Sequence, residues 1–278
     1  MTQIPAALED VTPRPAVDLA AYCDRIDYSG ALEPTPAVLA ALHLAHATHI
    51  PFENCDVLLG RPIRLDLDSL QAKLVRDRRG GYCFEQNSLF AAVLEQVGFS
   101  VTRLAARVRY RATRPLPRTH MVMQVHLHGG GCLADVGFGA EGLLLPVPLV
   151  AARLTRQNAW NYRVIDQAGL WVLQLQHGAE WNDLYEFSLE PQLPVDYELP
   201  NYYVSTHPDS RFVQTLTAQR LTPEARYILR NRELVVDRGG ETTVRHVAGE
   251  EELMAVLANT FGLSFPPGTR FRYRESPA

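Results

Sequence analysis

Residues 79–85 read Arg79-Gly80-Gly81-Tyr82-Cys83-Phe84-Glu85. The Gly-Gly pair marks a turn, and the clearest helical pattern of the chain follows it. Leu89, Phe90, Val93, Leu94 and Val97 fall on one stripe, and Gly98 stands where a left-handed C-terminal residue is wanted. The pattern predicts a helix from about Cys83 to Val97 with the thiol at its start. A helix N-terminus carries about half a positive charge and unpaired N–H groups, and both favour thiolate over thiol. The two glycines let other segments or a ligand come close to the sulfur. Position alone leaves two readings open, an activated thiol and a small hydrophobe packed under the helix.

Upstream of this stretch the chain reads as helical. Asp18 can cap a segment in which Leu19, Tyr22 and Ile26 share a face, and Thr35-Pro36 is a helix start running through Ala37–His49 to Pro51. Downstream, from Phe99, short β-type runs take over. Val101–Tyr110 is one, and Met121–Leu127 and Cys132–Val136 flank Gly129-Gly130-Gly131 as a hairpin. Tyr162–Ile165, Trp171–Leu175 and Trp181–Phe187 complete a small antiparallel sheet or barrel. Pro191, Pro194 and Pro200 mark a change of direction, and a boundary is placed near Pro194. Beyond it come strands at Tyr227–Leu229, Leu234–Asp237 and Thr242–His246 and a helix over about Glu250–Asn259 closed by Gly262.

Composition narrows the function classes. Of 278 residues, 27 are basic and 31 acidic, a net charge of −4, so no basic excess points to a nucleic-acid partner. An apolar share of 46% supplies enough core to offset the entropy of folding, which excludes disorder. The longest nearly apolar run, Gly142–Ala152, contains Pro146 and Pro148 and falls short of the about 20 residues a membrane span needs. Met1–Pro15 has neither a basic nor an apolar stretch of the secretory kind, so a cytoplasmic location with reduced thiols is expected. Cys23, Cys55, Cys83 and Cys132 form no C-x-x-C pair, which disfavours a zinc ribbon or a thioredoxin-type motif.

A nucleophilic cysteine needs a base, and the base needs an orienting group. His43, His46 and His49 fan over about 120° of one helix and do not converge, so they read as ordinary helix-face residues. His126 and His128 beside Cys132 lack a fourth ligand, and no metal is expected. His120 enters the first strand of the hairpin and Asp135 lies near the end of the second. With the turn centred between His128 and Gly129, the two are diagonal neighbours on one face, roughly 7–8 Å apart at the backbone. A slip of one residue puts them on opposite faces, and the sequence leaves both registers open. Gly137-Phe138-Gly139-Ala140-Glu141-Gly142 has the form G-x-G-x-x-G, but Pro146 and Pro148 follow where a dinucleotide site needs a helix. There is no Walker loop, no H-E-x-x-H and no G-x-S-x-G.

These segments together resemble the arylamine N-acetyltransferase family. The resemblance rests on Arg79–Glu85, Thr119-His120 and Asp135-Val136-Gly137-Phe138-Gly139, with Ile50-Pro51-Phe52-Glu53-Asn54 upstream and Ser205-Thr206-His207-Pro208 and Phe212 downstream, all in family order. It implies an α+β fold with a helical bundle over 1–97, an antiparallel β-barrel over 98–194 and an α/β lid over 195–278, around a cysteine-protease-like Cys-His-Asp core. It implies Cys83, His120 and Asp135 as the catalytic triad, acetyl-CoA as co-substrate without a metal, and an arylamine, arylhydroxylamine or hydrazine as acceptor. Acetyl transfer would run by a ping-pong route through acetyl-Cys83. The same pattern places Phe52, Phe138 and Phe212 on the substrate wall, with Thr119, Gly137 and Gly139 beside them, the glycines letting the pantetheine pass close to the backbone. Arg79 and Glu85 read as supports of the Cys83 turn, as a buried ion pair. Two other enzymes could use this order of residues, an amide synthase of antibiotic biosynthesis and a thiol hydrolase; a binding module with a vestigial site is the non-enzymatic alternative.

Overall fold

The computed structural model describes residues 16–274. Met1–Pro15, where a secretory signal was not expected, lies outside them. Helix α1 (Leu19–Arg25) begins at Asp18, whose carboxylate accepts from the Ala21 N–H at 3.0 Å. Helix α2 (Pro36–His49) begins at Thr35, with Pro36 at the first helical position, where its missing N–H costs nothing. Strand β1 (Phe52–Glu53), the short helices α3 (Cys55–Leu58) and α4 (Leu67–Leu70), and a π-helical turn over Gln71–Arg76 lead to α5 (Cys83–Val97). Helix α5 spans the range its stripe predicts, and Gly98 ends it at φ +106°. Its Leu89, Phe90, Val93 and Leu94 pack with Tyr22, Ile26, Leu39 and Leu42 in one core.

Eight antiparallel strands follow: β2 (Ser100–Val108), β3 (His120–Leu127), β4 (Gly130–Ala134), β5 (Val147–Pro148), β6 (Thr155–Gln157), β7 (Trp160–Gln167), β8 (Leu170–His177) and β9 (Glu180–Pro191). Their order is β5-β4-β3-β2-β9-β8-β7-β6, and the sheet curls until β5 meets β7, a nearly closed barrel. Turn chemistry makes the hairpins local. Ala168 and Gly169 both take positive φ between β7 and β8, as a two-residue hairpin turn requires. The β3–β4 ladder pairs Leu127 with Gly130 and Met123 with Ala134, which centres the turn between His128 and Gly129. Of the two registers left open, this is the one that brings His120 and Asp135 to the same face. No helix follows Gly142, as its prolines foretold.

A 3-10 turn (Pro194–Tyr197), helices α6 (Glu198–Thr206) and α7 (Arg211–Gln214), strands β10 (Thr217–Leu221), β11 (Arg226–Arg230), β12 (Glu233–Asp237) and β13 (Thr242–His246), and helix α8 (Gly249–Phe261) complete the chain. The second sheet has the order β1-β10-β11-β12-β13, so its first strand comes from the helical third of the sequence. Strand β10 and the two-residue β1 carry no strand signal of their own; β10 is held by β11 along its whole length and in turn pairs with β1. Among the described residues, no helix is long and apolar enough to cross a membrane.

Candidate active site

Cys83 is the first residue of α5 and is 4% exposed. The glycines before it are fixed by close approach: a Cβ on Gly80 would lie 2.1 Å from the Pro51 carbonyl oxygen, and one on Gly81 would lie 2.7 Å from Glu85 Oε2. Glu85 reaches back to accept from the Tyr82 N–H at 3.0 Å, closing the first turn. The Cys83 sulfur lies 3.6 Å from the Thr119 carbonyl oxygen, and the Cys83 side chain is a hydrogen-bonding neighbour of His120.

His120 stands between Cys83 and Asp135. Its Nε2 is 2.8 Å from Asp135 Oδ2, which leaves Nδ1 as the nitrogen free to serve the thiol. Burial would lower the His120 pKa, but the Asp135 carboxylate, the bond to it and the Cys83 contact outweigh burial and push it up to about 10. Asp135 is held low: burial works against its charge, and His120, Asn87 and the Gly137 N–H more than offset that. The pair therefore favours imidazolium beside carboxylate. Asn87 Nδ2 donates to Asp135 Oδ1 at 2.8 Å, and the Gly137 N–H donates to the same oxygen at 2.9 Å. The Asp135 N–H in turn donates to His43 Nε2 at 3.2 Å, while His43 Nδ1 donates to the Leu144 carbonyl at 2.9 Å.

Two site residues escaped the sequence reading. Asn87 lies four residues after Cys83, on the same helical face, and that spacing was the available signal. His43 reads from the sequence, with His46, as an ordinary helix-face residue. Both are fully buried, and burial pushes their pKa values down to about 4 and about 3, so both are neutral. Only His49 of the three is solvent-facing. Among the described residues no group of His, Cys, Asp and Glu is arranged to hold a metal. Cys23, Cys55 and Cys132 are free thiols.

The expected Arg79–Glu85 ion pair does not form, because each has a nearer partner. Arg79 pairs with Glu53 at 2.7 Å and Asp56 at 3.3 Å, whereas Glu85 pairs with Lys73 at 2.6 Å. Lys73 also meets Asp56 at 2.9 Å, and the π-helical turn is what delivers it there. The result is one network under the Cys83 turn rather than one pair.

Aromatic rings pack on Tyr82 and His120, the neighbours of Cys83. Phe52 and Phe212 stand 5.9 Å apart between ring centres, and Phe212 lies edge-on to Tyr82 at 5.6 Å. Phe138 lies edge-on to His120 at 5.2 Å, with Tyr185 against both. Thr119 lends its carbonyl to the sulfur and turns its hydroxyl toward the Pro117 carbonyl. The two loop glycines have packing reasons of their own. A Cβ on Gly137 would sit 2.8 Å from Cys83 Cα, and one on Gly139, at φ +91°, would sit 2.3 Å from Gln219 Oε1.

Known proteins resemble this chain over most of its length. The family model described as N-acetyltransferase matches residues 35–269. The arylamine N-acetyltransferase of Mycobacterium tuberculosis strain H37Rv is 42% identical over 255 residues, covering 90% of each chain. A solved structure of the M. tuberculosis enzyme superposes with a TM-score of 0.86 at 40% identity, over 88% of this chain and 93% of that one. The Mycobacterium marinum enzyme, solved in complex with CoA, superposes with a TM-score of 0.84 at 39% identity, over 88% and 92% of the two chains.

Proposed function

Since the chain belongs to the arylamine N-acetyltransferase family, we propose that it moves an acetyl group from acetyl-CoA to an arylamine, arylhydroxylamine or hydrazine through acetyl-Cys83. The observation that carries this reading is the placement of His120 between the Cys83 thiol and a buried Asp135 carboxylate 2.8 Å away. The CoA bound in the M. marinum relative supports acetyl-CoA as donor.

The steps follow from the charges. His120 as imidazolium holds Cys83 as thiolate, and the α5 N-terminus adds to the same effect. Sγ attacks the thioester carbonyl carbon, a new S–C bond forms, and the CoA thiolate leaves with the proton of His120. One thioester replaces another, so little driving force is needed. The acceptor nitrogen then attacks acetyl-Cys83, the S–C bond breaks, and neutral His120 takes the amine proton. Thiolate and imidazolium are restored together. Asp135 keeps the His120 ring oriented and stabilises its charge throughout. Phe52, Phe138 and Phe212 offer a planar amine an apolar wall, Thr119, Gly137 and Gly139 border it, and residues 195–278 serve as the lid over the bundle (1–97) and barrel (98–194).

Mass spectrometry tests the reading directly. After mixing with acetyl-CoA alone, the protein should carry one acetyl group on Cys83 and release CoA, and C83S should do neither. Absence of both adduct and CoA release in the unmodified protein overturns the proposal.

A further inference from the structure

The loop after Asp135 is held at its two ends by different machinery. At the inner end, Asn87 Oδ1 accepts from the Val136 N–H at 3.0 Å and Asp135 accepts from the Gly137 N–H, so this end is tied to the His120–Asp135 pair. At the outer end, apart from the Gly142 N–H, which donates to the Gly139 carbonyl at 2.8 Å within the loop, the bonds lead to other elements. The Ala140 N–H donates to Gln219 Oε1 on β10 at 2.7 Å, and the Tyr162 hydroxyl on β7 donates to the Gly142 carbonyl at 2.6 Å. Glu141 receives Arg226 Nη1 from β11 at 2.8 Å and the Tyr110 hydroxyl at 3.0 Å, and His177 Nε2 faces it at 3.7 Å.

Arg226 is the centre of this outer set. It is 1% exposed, its Nη2 donates to the Tyr162 hydroxyl at 2.5 Å, and its guanidinium lies 4.1 Å above the Trp160 ring. Burying an arginine and a carboxylate is expensive, and an apolar pair would join two sheets at less cost. What the ion pair adds is a fixed geometry between β11 of the second sheet and a loop of the barrel. Between the inner and outer anchors, the Phe138 ring packs edge-on against His120. We propose that Arg226, acting through Glu141, is a positioning residue that fixes Phe138 beside His120 and thereby seats the acceptor amine at the acetylated thiol.

The inference rests on acetyl-Cys83 as the intermediate, and the two half-reactions separate it from that reading. The Cys83–His120–Asp135 row has its own bonds, so E141Q and R226Q should accept the acetyl group from acetyl-CoA within about threefold of the unmodified rate. Their KM for an aniline-type amine should rise about tenfold, with kcat changed less, within the roughly hundredfold that a 1 Å misplacement can cost. R226K, which keeps the charge, should regain part of the loss. Y110F, which removes one hydrogen bond and leaves the ion pair, should shift KM in the same direction by less and keeps the test open should R226Q not fold. Equal falls in both half-reactions, or no change in either, overturn the inference. An unmodified protein that takes up no acetyl group overturns the functional reading, and this inference with it.

Discussion

Gly137 lacks a side chain because Cys83 occupies its place. A Cβ there would meet Cys83 Cα at 2.8 Å, the Cys83 carbonyl oxygen at 3.0 Å and Asn87 Nδ2 at 2.8 Å. The first two are backbone atoms of a helix start and cannot swing aside, so relief must come from the Asp135 loop. G137A should therefore cost about 1–3 kcal/mol of stability, as overpacking does. It should also slow Cys83 acetylation by more than the stability loss alone explains, because the loop carries Asp135. A thermal melt and the acetyl adduct measured on the same sample check both parts. At this scale Cys83, His120 and Asp135 could be picked out of the sequence as candidates, because each sits at a turn or strand end. His43 was not. Its role depends on the Asp135 backbone 92 residues away, which nothing in its own surroundings announces.

At the scale of the element, legibility followed the local signals. Helices α1, α2 and α5 were readable because Asp18, Thr35 and Gly98 mark their ends, and the β3–β4 hairpin because its glycines mark a turn, though its register came only from the Leu127–Gly130 pairing. The π-helical turn over Gln71–Arg76 was not readable, since its reason is tertiary: it brings Lys73 to Glu85 and Asp56. The pairing of β1 with β10 escaped for the same reason, with Phe52 opposite Gln219 far along the chain. The π turn makes a prediction. Glu85 is 2% exposed, and K73A removes its cation while leaving only the Tyr82 N–H to hold it. Breaking one side of a buried ion pair costs about 3–5 kcal/mol. Part is recovered by protonation, since burial already holds the Glu85 pKa high against Lys73. Urea unfolding of K73A, E85Q and the double variant measures this; the double variant should be more stable than K73A alone. A K73A protein as stable as the unmodified one would show that the network does not support the Cys83 turn.

Over the whole molecule, the buried histidines impose opposite pH limits. His43 and His46 stay neutral until about pH 4 and about pH 3 in the fold, against an ordinary 6.5. Below pH 6.5 the unfolded chain therefore binds protons that the folded chain refuses. The stability they contribute is whole above pH 6.5 and is lost as the pH falls through that window, by at most about 1.4 kcal/mol per pH unit for each proton. His120 acts in the reverse sense. Its folded pKa is raised to about 10, so its contribution is whole below pH 6.5 and is lost as the pH rises toward about 10. The two limbs meet near pH 6.5, where stability should peak. The limbs can be assigned separately. D135N removes the carboxylate that raises His120 and should flatten the alkaline limb, and H46Q should make the acid limb shallower. Urea midpoints measured from pH 5 to pH 10 give both slopes. An alkaline limb unchanged in D135N would mean that another group carries it and that His120 is not the imidazolium the acetyl-transfer scheme requires.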